Sequence, residues 1–303
     1  MLKILPHLDS DEMAATRKKE LDIPYYIAAE LGQSAVEAAE KGYYIREDGE
    51  RVDMAQYVQA ACANKVSIPP NTALSHGESI SFMETRVQVT NETTLGAAQR
   101  LVDRGLKPLA LNFANGAHPG GGFLTGATAQ EEALCRSSAL YQTLLGDLMY
   151  RAHFKRRRPD STEWAIYSPG VPVFRDDDGV ALEEPWLLDF ITCAAPYAPM
   201  LDQPESGDLL QQRIHRVLNI ARSYGYTALI LGAWGCGAFR NDSSRTARDF
   251  RTALETEFDG VFSDIIFAIT DWSPERRFLR PFCNVFAAQS QSRGIESGDR
   301  VAL

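Results

Sequence analysis

From residue 86 onward, short apolar runs alternate with longer amphipathic segments. The runs at 86–90, 109–113, 164–167, 187–193, 228–231 and 265–269 predict strands. Several are continuously apolar, as strands covered on both faces must be, instead of alternating every second residue. Between them, apolar positions recur with helical spacing at 95–103, closed by Gly105, and at 131–149, 209–223 and 244–258. Strands interleaved with helices predict a three-layer α/β/α fold with a mostly parallel or mixed sheet. The first part of the chain reads differently. A helix is expected at 28–41, ended by Gly42, then a short strand at Tyr43 and Tyr44 with a turn at Asp48-Gly49. A second helix at 54–63 stops before Ile68-Pro69-Pro70-Asn71. These features divide the chain into an accessory, mainly helical N-terminal region at 1–85, a core at 86–290 and a loose polar tail at 291–303.

Composition narrows the function classes. Across 303 residues, 40 acidic side chains outnumber 31 lysines and arginines, a net charge of -9 that argues against nonspecific binding to nucleic acid. A polyanionic ligand must then be held locally, by loop amides and a few arginines. Five widely separated cysteines, with no Cys-x-x-Cys pair, read as reduced packing residues of a cytoplasmic protein. No secretory signal or membrane-spanning stretch is evident. The one basic cluster, His153-Phe-Lys-Arg-Arg-Arg-Pro-Asp160, is either a solvated connector or an attractor for an extended anionic substrate.

The chemistry concentrates in two glycine-rich segments that follow strand runs. In the first, Asn112-Phe-Ala-Asn115 leads to Gly120-Gly121-Gly122, and after seven intervening residues the chain reads Gln130-Glu131-Glu132 at a helix start. Asn115 can fix a hydroxyl or merely cap a turn. Three glycines permit close backbone approach and positive φ. The acidic pair suits the helix dipole, which is a sufficient structural reason for it. A general acid at neutral pH would need its pKa raised by burial or a like charge, so a catalytic glutamate here must be dry.

In the second, the run at 228–231 opens into Gly232-Ala-Trp-Gly235-Cys236-Gly237-Ala238-Phe239, then Asn241-Asp242 and a helix. That arrangement can present amides to a phosphate or diphosphate, although it matches neither the P-loop nor the dinucleotide fingerprint. Phe239 can cover a ribose or base, or pack in the core. Cys236 reads as a small spacer, because no histidine stands at a Cys-His spacing, and no His/carboxylate cluster defines a metal. Weaker signals are 188–197 and 168–174 as turn-like pocket lining, 175–179 as an exposed loop, and Thr270-Asp271 as a reach from the last strand.

Together, Gly120-Gly121-Gly122, Gln130-Glu131-Glu132, Asn112-Phe-Ala-Asn115 and Gly235-Cys-Gly-Ala-Phe239 resemble the bacterial-type poly(ADP-ribose) glycohydrolases, a branch of the macrodomain superfamily. The resemblance covers about residues 86–290, and the helical N-terminal region resembles the accessory segment of that family. It implies a macrodomain-like mixed sheet and hydrolysis of ribose-ribose O-glycosidic bonds without cofactor or metal. It implies Glu132 as catalytic acid and base, Glu131 holding distal-ribose hydroxyls, Asn115 binding the same sugar, and Gln130 among the substrate-binding residues. The loop Gly120, Gly121, Gly122 and Phe123 is expected to enclose that sugar. Gly235, Cys236, Gly237 and Ala238 are expected to cradle the diphosphate, with Phe239 against the ligand. Partners implied are poly(ADP-ribose) or ADP-ribosylated protein, with ADP-ribose as product, no DNA or membrane, and a monomeric state. A closed ribose end implies release of single units from chain termini. The alternatives are a mono(ADP-ribosyl) hydrolase and a non-catalytic ADP-ribose-binding module.

Overall fold

The computed structural model describes residues 1–75, 81–201 and 204–287; the end of the expected core and the tail at 291–303 lie outside these. The strands are β1 (Leu2–Ile4), β2 (Tyr43–Ile45), β3 (Arg51–Asp53), β4 (Val66–Ile68), β5 (Thr85–Thr90), β6 (Pro108–Ala114), β7 (Ala165–Arg175), β8 (Ala181–Ala194), β9 (Ala228–Leu231) and β10 (Asp264–Ala268). The helices are α1 (Asp11–Leu21), α2 (Tyr25–Lys41), α3 (Ala55–Asn64), α4 (Thr94–Val102), α5 (Gln130–Ser137), α6 (Leu140–Leu144), α7 (Leu148–Phe154), α8 (Glu205–Ser223), α9 (Ser243–Glu255) and α10 (Leu279–Val285).

Eight strands form one mixed sheet in the order β1-β5-β10-β9-β6-β8-β7-β4, parallel from β1 to β8 and antiparallel at β8/β7 and β7/β4. Side-chain alternation sends Leu109, Leu111, Leu229, Leu231 and Phe267 to the face covered by α8, α9 and α10. Ala110, Ala228, Ile230 and Ile266 face the other side, where α2, α3, α4 and α5 pack. Both faces are apolar, which is why these strands read as unbroken hydrophobic runs. The three-layer α/β/α expectation therefore holds, with the mainly helical N-terminal region in place.

The topology positions the ligand loops. β5 and β6 are joined through α4, yet β9 and β10 are inserted between them in the sheet. The chain segments leaving the carboxyl ends of β5, β6, β9 and β10 therefore meet at one edge of the layers. Such convergence at strand carboxyl ends is where open α/β sheets bind ligands.

Several elements differ from expectation. The segment at 131–149 is not one helix: it breaks at Ser138, which bridges to Val173, and again before Gly146, giving α5, α6 and α7. The expected turn at 168–174 is the middle of β7, interrupted by a bulge between Ser168 and Val171 where Gly170 has φ +60°. Residues 175–179 form the β7–β8 hairpin tip, and only Asp176 and Asp178 are exposed there, since Asp177 turns inward. The first 85 residues also supply both edges of the sheet, β1 and β4. No helix among the described residues is long and apolar enough to cross a membrane.

The ring of Phe267 is fully buried against Phe250, Phe282 and Phe286 at 4.7 to 5.4 Å between centroids. Phe267→Ala should therefore cost about 3–5 kcal/mol, read as a lower urea midpoint at unchanged m-value.

Candidate functional site

β6 and β9 pair only as far as Ala110 and Ile230. Beyond that point the edge of β6 would carry unsatisfied amides, and α5 supplies their partners. Gln130 Oε1 accepts from the Phe113 amide at 2.9 Å, while its Nε2 donates to Leu111 O at 2.8 Å and Thr94 Oγ1 at 3.0 Å. One residue on, Glu131 Oε2 accepts from the Asn115 amide at 2.7 Å and Oε1 from Asn112 Nδ2 at 3.3 Å. The first turn of α5 thus substitutes for a neighbouring strand, and this fixes where the two carboxylates stand.

The glycine triplet backs the carboxylates. Gly122 N–H donates to Glu132 Oε1 at 2.9 Å, and Gly121, at φ +59°, lies so close that a Cβ there would overlap Glu132 Oε1. Phe123 does not enclose the cavity. It is buried, with its ring 4.8 Å from that of Tyr141, and anchors the loop against α2, where Gly32 leaves room for its backbone. Gly120, Gly121 and Gly122 likewise stand behind the glutamates instead of in the cavity wall.

The cavity itself measures about 400 Å³, within the usual range for small-molecule sites. Asn115, Gln130, Glu131 and Glu132 line it together with Gly235, Gly237, Ala238 and Phe239. Glu131 is 3% exposed and Glu132 8%, so the dryness required of an acid is met by both. Among the described residues no hydrogen bond is made to Glu132 Oε2, whereas both oxygens of Glu131 are engaged. Asn115 caps a turn, its Oδ1 accepting the Ala117 and His118 amides at 2.9 and 3.0 Å, and it borders the cavity.

In the second loop, Gly235 at φ +75° is held by Asn241, whose Nδ2 donates to Gly235 O and Pro196 O. Among the described residues the amides of Gly237, Ala238 and Phe239 donate to no protein acceptor. Gly237 faces open space. These amides are therefore free for an anionic ligand. Phe239 is half-buried, edge-on to Tyr197 at 5.7 Å. Cys236 is outside the wall: it is buried with Sγ toward Thr246, and burial pushes its thiol up to about 11. Among the described residues no group of three or more His, Cys, Asp or Glu is placed to hold a metal ion.

Other wall residues escaped the sequence reading. Thr93 caps α4 by accepting the Gly96 amide and donates to Asp177 Oδ2 at 2.6 Å, and both line the cavity with Leu21 of α1. Trp272 and Phe278 complete the β10 side. Of the pair after β10, Thr270 lines the cavity, but Asp271 instead accepts the Phe278 and Leu279 amides and shapes the turn into α10. For Thr93, Thr270, Trp272 and Phe278 the available signal was positional, since they follow the carboxyl ends of β5 and β10; Leu21 and Asp177 come from α1 and the β7–β8 hairpin tip and carried none.

Burial is the main cause that raises the Glu131 carboxyl to about 8. The Asn115 amide opposes it, the nearby Glu132 charge adds to it, and Asn112 and the Gly120 amide oppose it. Raised above the unfolded value, the folded protein holds this proton more tightly, so stability falls as pH climbs from the ordinary carboxylate range through about 8. The melting-temperature difference between Glu131→Gln and the parent should therefore favour the variant more at pH 9 than at pH 5. An equal difference at both pH values would show that Glu131 ionises normally.

A family model, the microbial-type PARG catalytic domain, matches residues 32–176. No curated protein sequence matches the chain. Among solved structures, the poly(ADP-ribose) glycohydrolase of Thermomonospora curvata is similar at 39% identity and TM-score 0.79, covering 86% of this chain and 99% of that one. The same enzyme bound to the inhibitor ADP-HPD matches at 38% identity and TM-score 0.78, with coverage of 86% and 99%. The Deinococcus radiodurans poly(ADP-ribose) glycohydrolase in complex with ADP-ribose matches at 38% identity and TM-score 0.72, covering 79% of this chain and all of that one. At this identity over nearly the whole length of those enzymes, the chain belongs to the microbial-type PARG family.

Proposed function

We propose that the protein hydrolyses the ribose-ribose O-glycosidic bonds of poly(ADP-ribose), working from chain ends and releasing ADP-ribose. The observation that carries this reading is that one cavity is lined both by two dry carboxylates and by a loop with three free amides. Amides at Gly237, Ala238 and Phe239 suit a diphosphate, and the glutamates of the same cavity then serve the distal ribose. Family membership supports the same substrate.

In this reading Glu132, in its acid form, gives its proton through the free Oε2 to the bridging oxygen. The bond from that oxygen to the anomeric carbon breaks, the retained polymer leaves as a ribose hydroxyl, and oxocarbenium character develops on the ADP-ribose side. The resulting carboxylate then takes a proton from the attacking water, which restores the acid. One group serves both steps, unlike the usual two-carboxylate division of labour. Glu131, kept largely neutral by burial, orients sugar hydroxyls beside Asn115. Gln130 and the glycine triplet act by positioning. Leu21 in the cavity wall supports action at termini, since it brings the end of α1 against the cavity. A monomer suffices, because one chain supplies both walls, and the free thiols suit a reducing cytoplasmic setting.

Glu132→Gln should bind free ADP-ribose as the parent does while releasing at least about 100-fold less of it from poly(ADP-ribose). A parent protein that binds ADP-ribose but cleaves no polymer would leave a binding module or a hydrolase of protein-linked ADP-ribose. Chain-end action predicts single ADP-ribose units from the first time points; early oligomers would reveal internal cleavage. Gly121→Ala should lower turnover about 100-fold, because its Cβ displaces Glu132 Oε1. Turnover at the parent rate would mean that the triplet does not set the carboxylate's position.

A further inference from the structure

The basic segment after α7 has no part in the cavity, yet it is tied to both of the loops that frame it. At one end His153 is buried, with Nδ1 3.1 Å from Gly116 O and Nε2 2.7 Å from Thr162 Oγ1. Burial pushes the imidazole down to about 4, so His153 serves as a neutral tether to the Asn115 loop. At the other end Pro159 O accepts the Tyr197 amide at 3.0 Å, and Ala198 N–H donates to Phe239 O at 3.0 Å. Buried Arg213 donates to Ala194 O at 2.9 Å and to Asp160 O. The connector therefore runs along the rim from the glutamate side to the diphosphate side.

Its outer face is unlike the rest of this acidic protein. Arg156 is paired with Asp160 and Arg158 with Glu205, but Arg151, Lys155 and Arg157 are exposed with no ion pair among the described residues. Phe154 is 71% exposed, its ring 6.4 Å from that of exposed His118. His118 O in turn accepts the Gly121 amide, directly behind Glu132. Free cations beside an exposed aromatic match a ligand with phosphates and stackable bases.

Resting on the proposed hydrolysis, we infer that this face binds the part of the polymer that stays behind. The ADP-ribose unit on the leaving side of the scissile bond lays its diphosphate against Lys155 and Arg157, and its adenine against Phe154. Asn115 borders the cavity beside the glutamates and accepts the His118 amide, and the His118 ring stands against Phe154, so this face adjoins the loop at the glutamate end. A solvated connector would not require the unpaired cations and the exposed ring to coincide at the rim.

The test uses the full chain carrying Lys155→Glu with Arg157→Glu, and separately Phe154→Ala, assayed on long poly(ADP-ribose). Lys41→Glu with Arg51→Glu, far from the rim, controls for net charge. The rim reversal should raise KM about tenfold at low salt with kcat preserved, and flatten the salt dependence of kcat/KM. Phe154→Ala should raise KM severalfold, and Kd for free ADP-ribose should not move in any variant. An unchanged KM for the rim reversal, or an equal rise in the control pair, overturns the inference. A parent that binds ADP-ribose yet releases none from polymer defeats the hydrolase reading itself, and the inference with it.

Discussion

The site depends on how the edge of β6 is completed after β9 stops pairing with it. A strand edge inside a protein leaves amides and carbonyls that cost roughly 1–3 kcal/mol each when unpartnered. Here the side chain of Gln130 takes one donor and one acceptor of that edge, and Glu131 takes the next amide, that of Asn115. Because Gln130 is locked to the strand at two points, the residues after it have little freedom. Glu131 and Glu132 are delivered to the cavity by backbone hydrogen bonding of the sheet, not by the flexible ends of their own side chains. The glycine triplet then closes from behind, with an amide for Glu132 and no side chain to push it away.

That arrangement has an electrostatic consequence. Two adjacent carboxylates are nearly dry, and burial keeps Glu131 protonated well above the ordinary range. The pair therefore carries less charge at neutral pH than its composition suggests, which eases the approach of a polyanion. The protein as a whole is acidic, with a net charge of -9. Free amides such as those of Gly237, Ala238 and Phe239 can meet an anionic group without a basic surface, since backbone dipoles act at contact range while the distributed surface charge is screened within about 10 Å.

The central sheet was legible because both of its faces are covered. Runs such as 228–231 have no polar residue to confuse the pattern, and β9 falls on those same residues. Edge strands were not: β1 and β4 have three residues each, too few for any periodicity, and both sit where a helical region was expected. The helix expected at 131–149 failed because apolar spacing persists through Ser138 and Gly146 although the backbone turns there. In the site, paired glutamates and glycine loops were legible as chemistry. Their division was less so: glycines and Phe123 that suggested ligand contacts support the carboxylates from behind, and Cys236 packs into the core. Thr93 and Trp272 carry no motif and reach the cavity from the converging strand ends, and Asp177 reaches it from the β7–β8 hairpin tip.

The N-terminal region illustrates the same dependence at larger scale. β1 adds to β5 and β4 to β7, so residues before 85 cover both exposed edges of a sheet whose central strands carry the ligand loops. α2 presses on the Phe123 turn closely enough that Gly32 and Gly126 have no room for a Cβ. Pressure on that turn is transmitted directly to Gly122 and thence to Glu132, because the turn is anchored by a buried ring and closed by consecutive backbone bonds. An accessory segment that only roofed the pocket could be altered with an effect on substrate entry alone. One that braces the glycine loop must also affect the carboxylate's position, so changes at Gly32 belong with changes at Gly121 and not with changes in the pocket's roof.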